Sequence, residues 1–220
     1  MSKRGLTSDR ATKKPIIVLA GEDSNDRKAL GILIEAMCPY TRGRIVEING
    51  TVRLRDAPDH ALPQRAAALA GKISARAMRE RAEIACVFVH EDFDAVDSTK
   101  RDAVRRRVQF ALRRHISRSY YILVPWETEA WLLLFPDAIT AIRSAWVVPS
   151  RRRKTDTGLV ADPKRVMRTE VSDAGSRYQE GDAPRILEKA VELGLHESPS
   201  GTNRSYDELR DSVDECCGSL

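Results

Sequence analysis

Short, wholly apolar runs alternate along this chain with longer stretches whose apolar positions recur at helical spacing. The run "IIVLA" at 16–20 is apolar at every position, as expected of a parallel strand covered on both faces. In the following "RKALGILIEAM", Leu30, Leu33, Ile34 and Met37 fall on one side of a helix, with Ser24 or Asn25 expected as its N-cap. "RIVEI" at 44–48 predicts a second strand. The Ala- and Arg-rich segment at 63–81 predicts a helix with Leu69, Ile73 and Ala77 inward. "IACVFV" at 84–89 predicts a third strand, and 99–115 a helix with Val104, Val108, Ala111 and Leu112 inward and Arg106 and Arg113 pointing away. "YYILV" at 120–124 predicts the fourth strand, and "TEAWLLLF" opens a helix that Pro136 ends or kinks.

This alternation predicts an α/β fold with a four-stranded, mainly parallel, Rossmann-like sheet flanked by helices. Right-handed crossovers bring every strand's C-terminal end to one edge of such a sheet. Beyond Trp146 the strand pattern stops, and "DPKRVMRTEV", "DAPRILEKAVELGL" and "SYDELRDSVDECC" predict helices. The expected organisation is a flexible basic arm at 1–14, an α/β domain at 15–146, and a helical extension at 147–220 packed on that domain.

Three acidic clusters, "GEDSND", "HEDFD" and "ETE", each follow a predicted strand. Any one alone makes good caps and turns, but together they converge on the edge where such sheets bind ligands. Converging carboxylates repel unless something neutralises them, and a hard divalent cation with oxygen ligands, Mg2+ or Mn2+, does so. Such a cation can polarise a phosphate and activate water. The Asp92, Asp94 and Asp97 spacing lacks the central glycine and final glutamate of a calcium loop. No GxGxxG or GxxxxGK[ST] motif occurs. An Asp-x-Asp phosphatase would carry its motif on the leading strand, whereas here it follows the third.

Charge adds a partner. The formal net charge is +5, and the excess is clustered in "RRRVQFALRRHISR" and "RRRK". Arg106, Arg113, Arg151, Arg152 and Arg153 are therefore candidate nucleic-acid contacts, with a solvated face as the plainer reading. No apolar stretch approaches the roughly 20 residues of a membrane span, and the charged start lacks a signal-peptide core. A soluble, cytoplasmic protein is expected. The four cysteines show no zinc spacing and fit a reducing compartment, with Cys38 and Cys86 as core residues and Cys216 and Cys217 incidental.

Glu after the first strand, Asp-x-Asp after the third and "ETEAW" after the fourth resemble the TOPRIM superfamily. More narrowly, the chain is similar to a small family related to OLD-type nucleases and often encoded beside ATPases in bacterial defence loci. The resemblance runs through "AGEDSND", "VHEDFD" and "ETEAWLL", and extends to "DPKRVM", "RY" and "SPS". It implies a metal-dependent nuclease acting in antiviral defence with an ATPase partner. It implies Asp92 and Asp94 as metal ligands, Glu22 as general acid/base or ligand, Glu129 as a further ligand, and Lys164 stabilising phosphate charge. The chain departs from the family pattern in carrying Asp26 where a second glutamate is expected, and in the large Phe93 between the two aspartates. The alternatives are a non-catalytic module of the same fold that binds an ATPase or nucleic acid, and an Asp-x-Asp phosphatase.

Overall fold

β1 (Ile16–Ala20) is buried along its whole length and lies inside the sheet, which explains why its sequence has no polar alternation. The computed structural model describes residues 15–50 and 52–220, so the basic arm expected at 1–14 lies outside the described residues. β2 (Ile45–Glu47), β3 (Ile84–Asp92) and β4 (Ser119–Val124) complete an all-parallel sheet of order β2-β1-β3-β4. The expected four-stranded α/β architecture is thus present, and β1 and β3 are neighbours.

α1 (Ser24–Met37) buries Ala29, Leu30, Leu33 and Ile34, while Met37 of the predicted stripe is only partly buried at the helix end. Its N-cap is Asp23, whose carboxylate accepts from the Asn25 and Asp26 amides at 2.6 and 2.9 Å. Ser24 and Asn25 therefore lie inside the first turn, not at the cap. α2 (Leu62–Glu80) and α3 (Thr99–Arg113) cover one sheet face, joining Leu69, Ile73, Ala77, Val108 and Leu112 to Val18, Val87 and Val89.

The other face is covered by α1 and by the C-terminal half of the chain. The fourth helix breaks in two at Pro136: α4 (Glu129–Leu132) is a single turn and α5 (Pro136–Ile142) restarts with the proline in its first turn. α6 (Pro163–Val166), continued by a wider turn to Val171, then α7 (Ala183–Glu192) and α8 (Arg204–Cys217) follow. Their apolar side chains share one core with β1, β3 and β4, including Ile186, Leu187, Tyr206 and Leu209 against Ile17, Phe88 and Ile122. The extension is part of the main core. Fully buried Arg101 clamps it in place, bonding the Leu123 carbonyl at 2.7 Å and Glu208 of α8.

Cys38 is disulfide-bonded to Cys217, and Cys86 to Cys216. This corrects the expectation of free thiols. The last turn of α8 lies where the end of α1 meets the start of β3, a proximity between residues 179 and 130 positions apart that spacing alone does not reveal. Paired cysteines do not point to a reducing compartment. Among the described residues no helix is long and apolar enough to cross a membrane.

Two cross-links closing such long loops should stabilise by roughly 2–4 kcal/mol for the first and less for the second, whose loop is already closed. Reduction should therefore lower the melting temperature by about 10 °C. Without reductant, an alkylating agent should label no cysteine of the unfolded chain. Labelling of all four, with no change in melting on reduction, would contradict the pairing.

Candidate metal centre

Strand alternation assigns the polar end of β3 to two faces. Cys86 and Phe88 point toward the C-terminal half of the chain, and His90 and Asp92 follow them; Val87, Val89 and Glu91 point toward α2 and α3. His90 is fully buried, with the Trp131 ring edge-on at 5.8 Å. Trp131 is itself fixed by donating to the Ser205 hydroxyl at 2.8 Å.

Asp26, in the first turn of α1, reaches the same point. Because Asp23 caps the helix, Asp26 is free to turn inward, where it accepts from the Thr128 hydroxyl at 2.8 Å. His90 Nδ1 stands 4.0 Å from Asp26 Oδ2, and His90 Nε2 stands 4.0 Å from Asp92 Oδ1. One ligating atom from each of Asp26, His90 and Asp92 lies within 4.8 Å of the others. His90 Nδ1 and Asp92 Oδ1 are buried and have no hydrogen-bond partner. Buried polar atoms are rarely left so, and two of them within one ligand-spaced group of two carboxylates and an imidazole fit a cation.

The cleft continues to Glu129 and Lys164. Glu129 is buried, accepts from the Tyr178 hydroxyl at 2.9 Å, and stands 4.0 Å from Lys164 Nζ. Lys164 lies 2.8 Å from Glu127 Oε2 and 3.3 Å from Glu180 Oε1. Of the residues named from sequence, Asp92, Glu129 and Lys164 thus line one cleft. Glu22 is half-buried beside it and feels the charges of Arg55, Asp94 and Asp26. Asp94 is mostly exposed, sits in a left-handed conformation at φ 56°, and is bonded to Arg55 at 2.8 Å. It lies outside the ligand-spaced group, which instead includes Asp26 and His90. His90 was legible by parity, two residues before Asp92 on a strand; Asp26 was masked by its suitability as a turn residue.

The arginine candidates separate. Arg106 and Arg113 are exposed on α3 on either side of Phe110, which is 70% exposed. Arg151 and Arg152 both bond Glu170, and Arg153 donates to the Val148 carbonyl at 3.0 Å. One carboxylate, Glu170, therefore offsets part of the "RRRK" charge.

Burial and mutual repulsion dominate the electrostatics. Asp92 is pushed well above the usual carboxylate range by burial and then by Asp26, Glu22, Glu129 and Glu127. Glu129 is raised to about 7 by burial and the Glu127 charge, against the pull of Lys164 and Tyr178. Burial also raises Glu22 and lowers His90, so the imidazole is neutral and able to ligate. For Lys164, burial works against the charge, but the Glu127 hydrogen bond and the Glu129, Glu127 and Glu180 charges outweigh it and hold the ammonium protonated.

No family model matches the chain, and no curated protein or solved structure matches it either. The fold class is that of Rossmann-like α/β proteins with an all-parallel sheet, and the chemistry must be read from the site itself.

A carboxyl raised on folding keeps its proton in the folded state while the unfolded chain ionises, so its stabilising protonation is lost as pH climbs from the unfolded to the folded value. For Glu129 that window runs from about 4.5 to about 7. Glu22, Glu91 and Asp92 act in the same direction, and His90 opposes them. In chelator the protein should melt at a higher temperature at pH 5 than at pH 8. The drop should be smaller in Glu129→Gln, which cannot ionise but still accepts from Tyr178. An identical pH profile in parent and variant would show that Glu129 is not raised.

Proposed function

We propose that this chain is a divalent-metal-dependent, TOPRIM-like nuclease that hydrolyses phosphodiester bonds of nucleic acid. The observation that carries the reading is the unpartnered Asp92 Oδ1, buried beside His90 and Asp26 at the C-terminal edge of the parallel sheet. Two carboxylates with one neutral imidazole suit Mn2+, and the oxygen ligands suit Mg2+. Asp26, His90 and Asp92 would hold the ion, with Glu129 across the cleft as a further ligand. When bound, such an ion supplies charge to a phosphate oxygen and lowers the pKa of water.

The chain's own groups provide the rest. Glu22 is half-buried with a raised pKa, which supports a role in exchanging a proton with the attacking or leaving oxygen. Lys164 lines the cleft between Glu127 and Glu180 and in this reading would contact the substrate phosphate. Asp94, bonded to Arg55, acts in this reading through that arginine more than as a direct ligand. A role in antiviral defence and an ATPase partner follow from the resemblance and carry no weight in the site chemistry.

Asp92→Asn keeps size and hydrogen-bonding capacity but removes the charge the cation requires. Cleavage with Mn2+ should fall at least about a hundredfold, since even outer partners of metal ligands commonly cost 10–100-fold. Mn2+ should raise the melting temperature of the parent and not of the variant, while the metal-free variant, relieved of one repelling charge, should melt above the metal-free parent. Equal cleavage by both proteins would remove Asp92 from the site. A parent that neither cleaves nor responds to Mn2+ would be a non-catalytic binding module. Hydrolysis of a phosphomonoester alone would favour the phosphatase.

A further inference from the structure

The sequence draws attention to arginines on α3 and after Trp146, yet a strongly basic concave surface lies between β2 and α2. Two adjoining hollows of 220 and 320 Å³ run between β2 and α2 and share Ile48 and Lys72 in their walls. Their rims carry Arg53, Arg65, Lys72, Arg76 and Arg79. The lining carboxylate, Glu47, is already held by Arg27 at 2.9 Å. Among the described residues Arg53, Lys72 and Arg79 make no ion pair, Arg65 donates only to the Arg53 carbonyl, and Arg76 pairs with Glu80 in its own helix. The floor is apolar, formed by the buried side chains of Ile48, Val52, Leu54 and Leu69.

The helical part of this surface has a regular build. Arg65, Lys72, Arg76 and Arg79 follow at steps of seven, four and three, so they form one stripe along α2. At 1.5 Å per residue the stripe extends about 21 Å, or about six nucleotides at the 3.4 Å rise of a stacked strand.

One loop connects this groove to the acidic cleft. Arg53 lies on the groove wall and contributes to the potential at Glu22. The next two residues, Leu54 and Arg55, donate their amides to the buried Glu91 carboxylate. The Arg55 guanidinium then bonds the Asp92 carbonyl and the Asp94 carboxylate. Basic side chains thus run from the C-terminal half of α2 to Arg53, and Arg55, paired with Asp56 and Asp94, links that rim to the mouth of the candidate metal centre.

We infer that this groove is the track for the nucleic-acid strand, with the phosphodiester backbone along the Arg53, Lys72 and Arg79 rim and sugars or bases against the apolar floor. Charge complementarity selects the occupant: a second copy would bring like charge to like charge, whereas a polyanion with flat apolar faces matches both rim and floor. The inference rests on the nuclease reading for the strand's destination but not for its binding.

The test uses the Asp92→Asn protein without divalent cation, so that binding is measured apart from chemistry. Labelled single-stranded DNA and RNA of about 20 nucleotides are titrated across a salt series. For single strands the logarithm of affinity falls with the logarithm of salt by about 0.7 per phosphate contact, so losing three contacts should reduce the slope by about 2. Adding Arg53→Ala, Lys72→Ala and Arg79→Ala together should produce that change and weaken binding at least about tenfold at low salt. Adding Arg106→Ala and Arg113→Ala instead should leave the slope as it was. Lys72→Glu alone, at an exposed residue that makes no ion pair among the described residues, should weaken binding in the same direction if the triple variant folds poorly. An unchanged slope in the groove variant, loss in the α3 variant instead, or no binding by the starting protein would each overturn the inference. Salt-sensitive binding through the groove, with no Mn2+-dependent cleavage by the parent, would remove the nuclease reading and leave the groove standing. Undiminished cleavage by the parent carrying the same three groove substitutions, with Asp92 intact, would do the reverse.

Discussion

The parallel pairing of β3 with both β1 and β4 is the constraint on which the rest of this molecule depends. Val87, Val89 and their neighbours are hydrogen-bonded on both edges and covered on both faces. A strand so enclosed tolerates only apolar residues along its length, yet this one continues into His90, Glu91 and Asp92 while still paired with Ile122, Leu123 and Val124. Polar groups held in a buried strand cannot move to water. They must be satisfied by whatever the fold brings to each face.

The two faces meet that demand differently. Glu91 is fully partnered, by the Leu54 and Arg55 amides and the Tyr121 hydroxyl, and so acts as a brace for the loop that carries Arg55. On the opposite face His90 and Asp92 find Asp26, Thr128 and Glu129, a surplus of acceptors and negative charge with atoms left unpaired. A structural site is expected to close its polar network. This one stays open beside a cleft, which is the feature the proposed metal site rests on.

The C-terminal residues complete both core and cleft. Lys164, Tyr178 and Glu180 all enter the site from beyond residue 147, and α7 and α8 seal the face that β1, β3 and β4 would otherwise expose. Cys216 and Cys217 attach the end of α8 to α1 and β3, and Arg101 clamps its beginning through Glu208. The segment that reads in sequence as an appendage thus fixes the surroundings of His90 through Ser205 and Trp131.

Periodicity alone determined the elements, because apolar burial imposes period on sequence: the continuous run of β1, the stripe Leu69, Ile73 and Ala77 of α2, and the switch from strand to helix that dictates a parallel sheet. The convergence of "GEDSND", "HEDFD" and "ETE" on one edge followed from the handedness of crossovers. What the sequence could not decide was which acids turn inward. Asp23 and Asp26 are equally good caps as letters, and only the position of Thr128 and the end of β3 makes one the cap and the other a neighbour of Asp92. Asp94 likewise has the spacing of a ligand, but its left-handed backbone and the reach of Arg55 turn it aside. The disulfides and the basic groove were hidden for the same reason. The α2 stripe of Arg65, Lys72, Arg76 and Arg79 is periodic, but its meeting with Ile48 and Arg53, like each cysteine pair, is made by packing, and packing distances are a property of the whole fold.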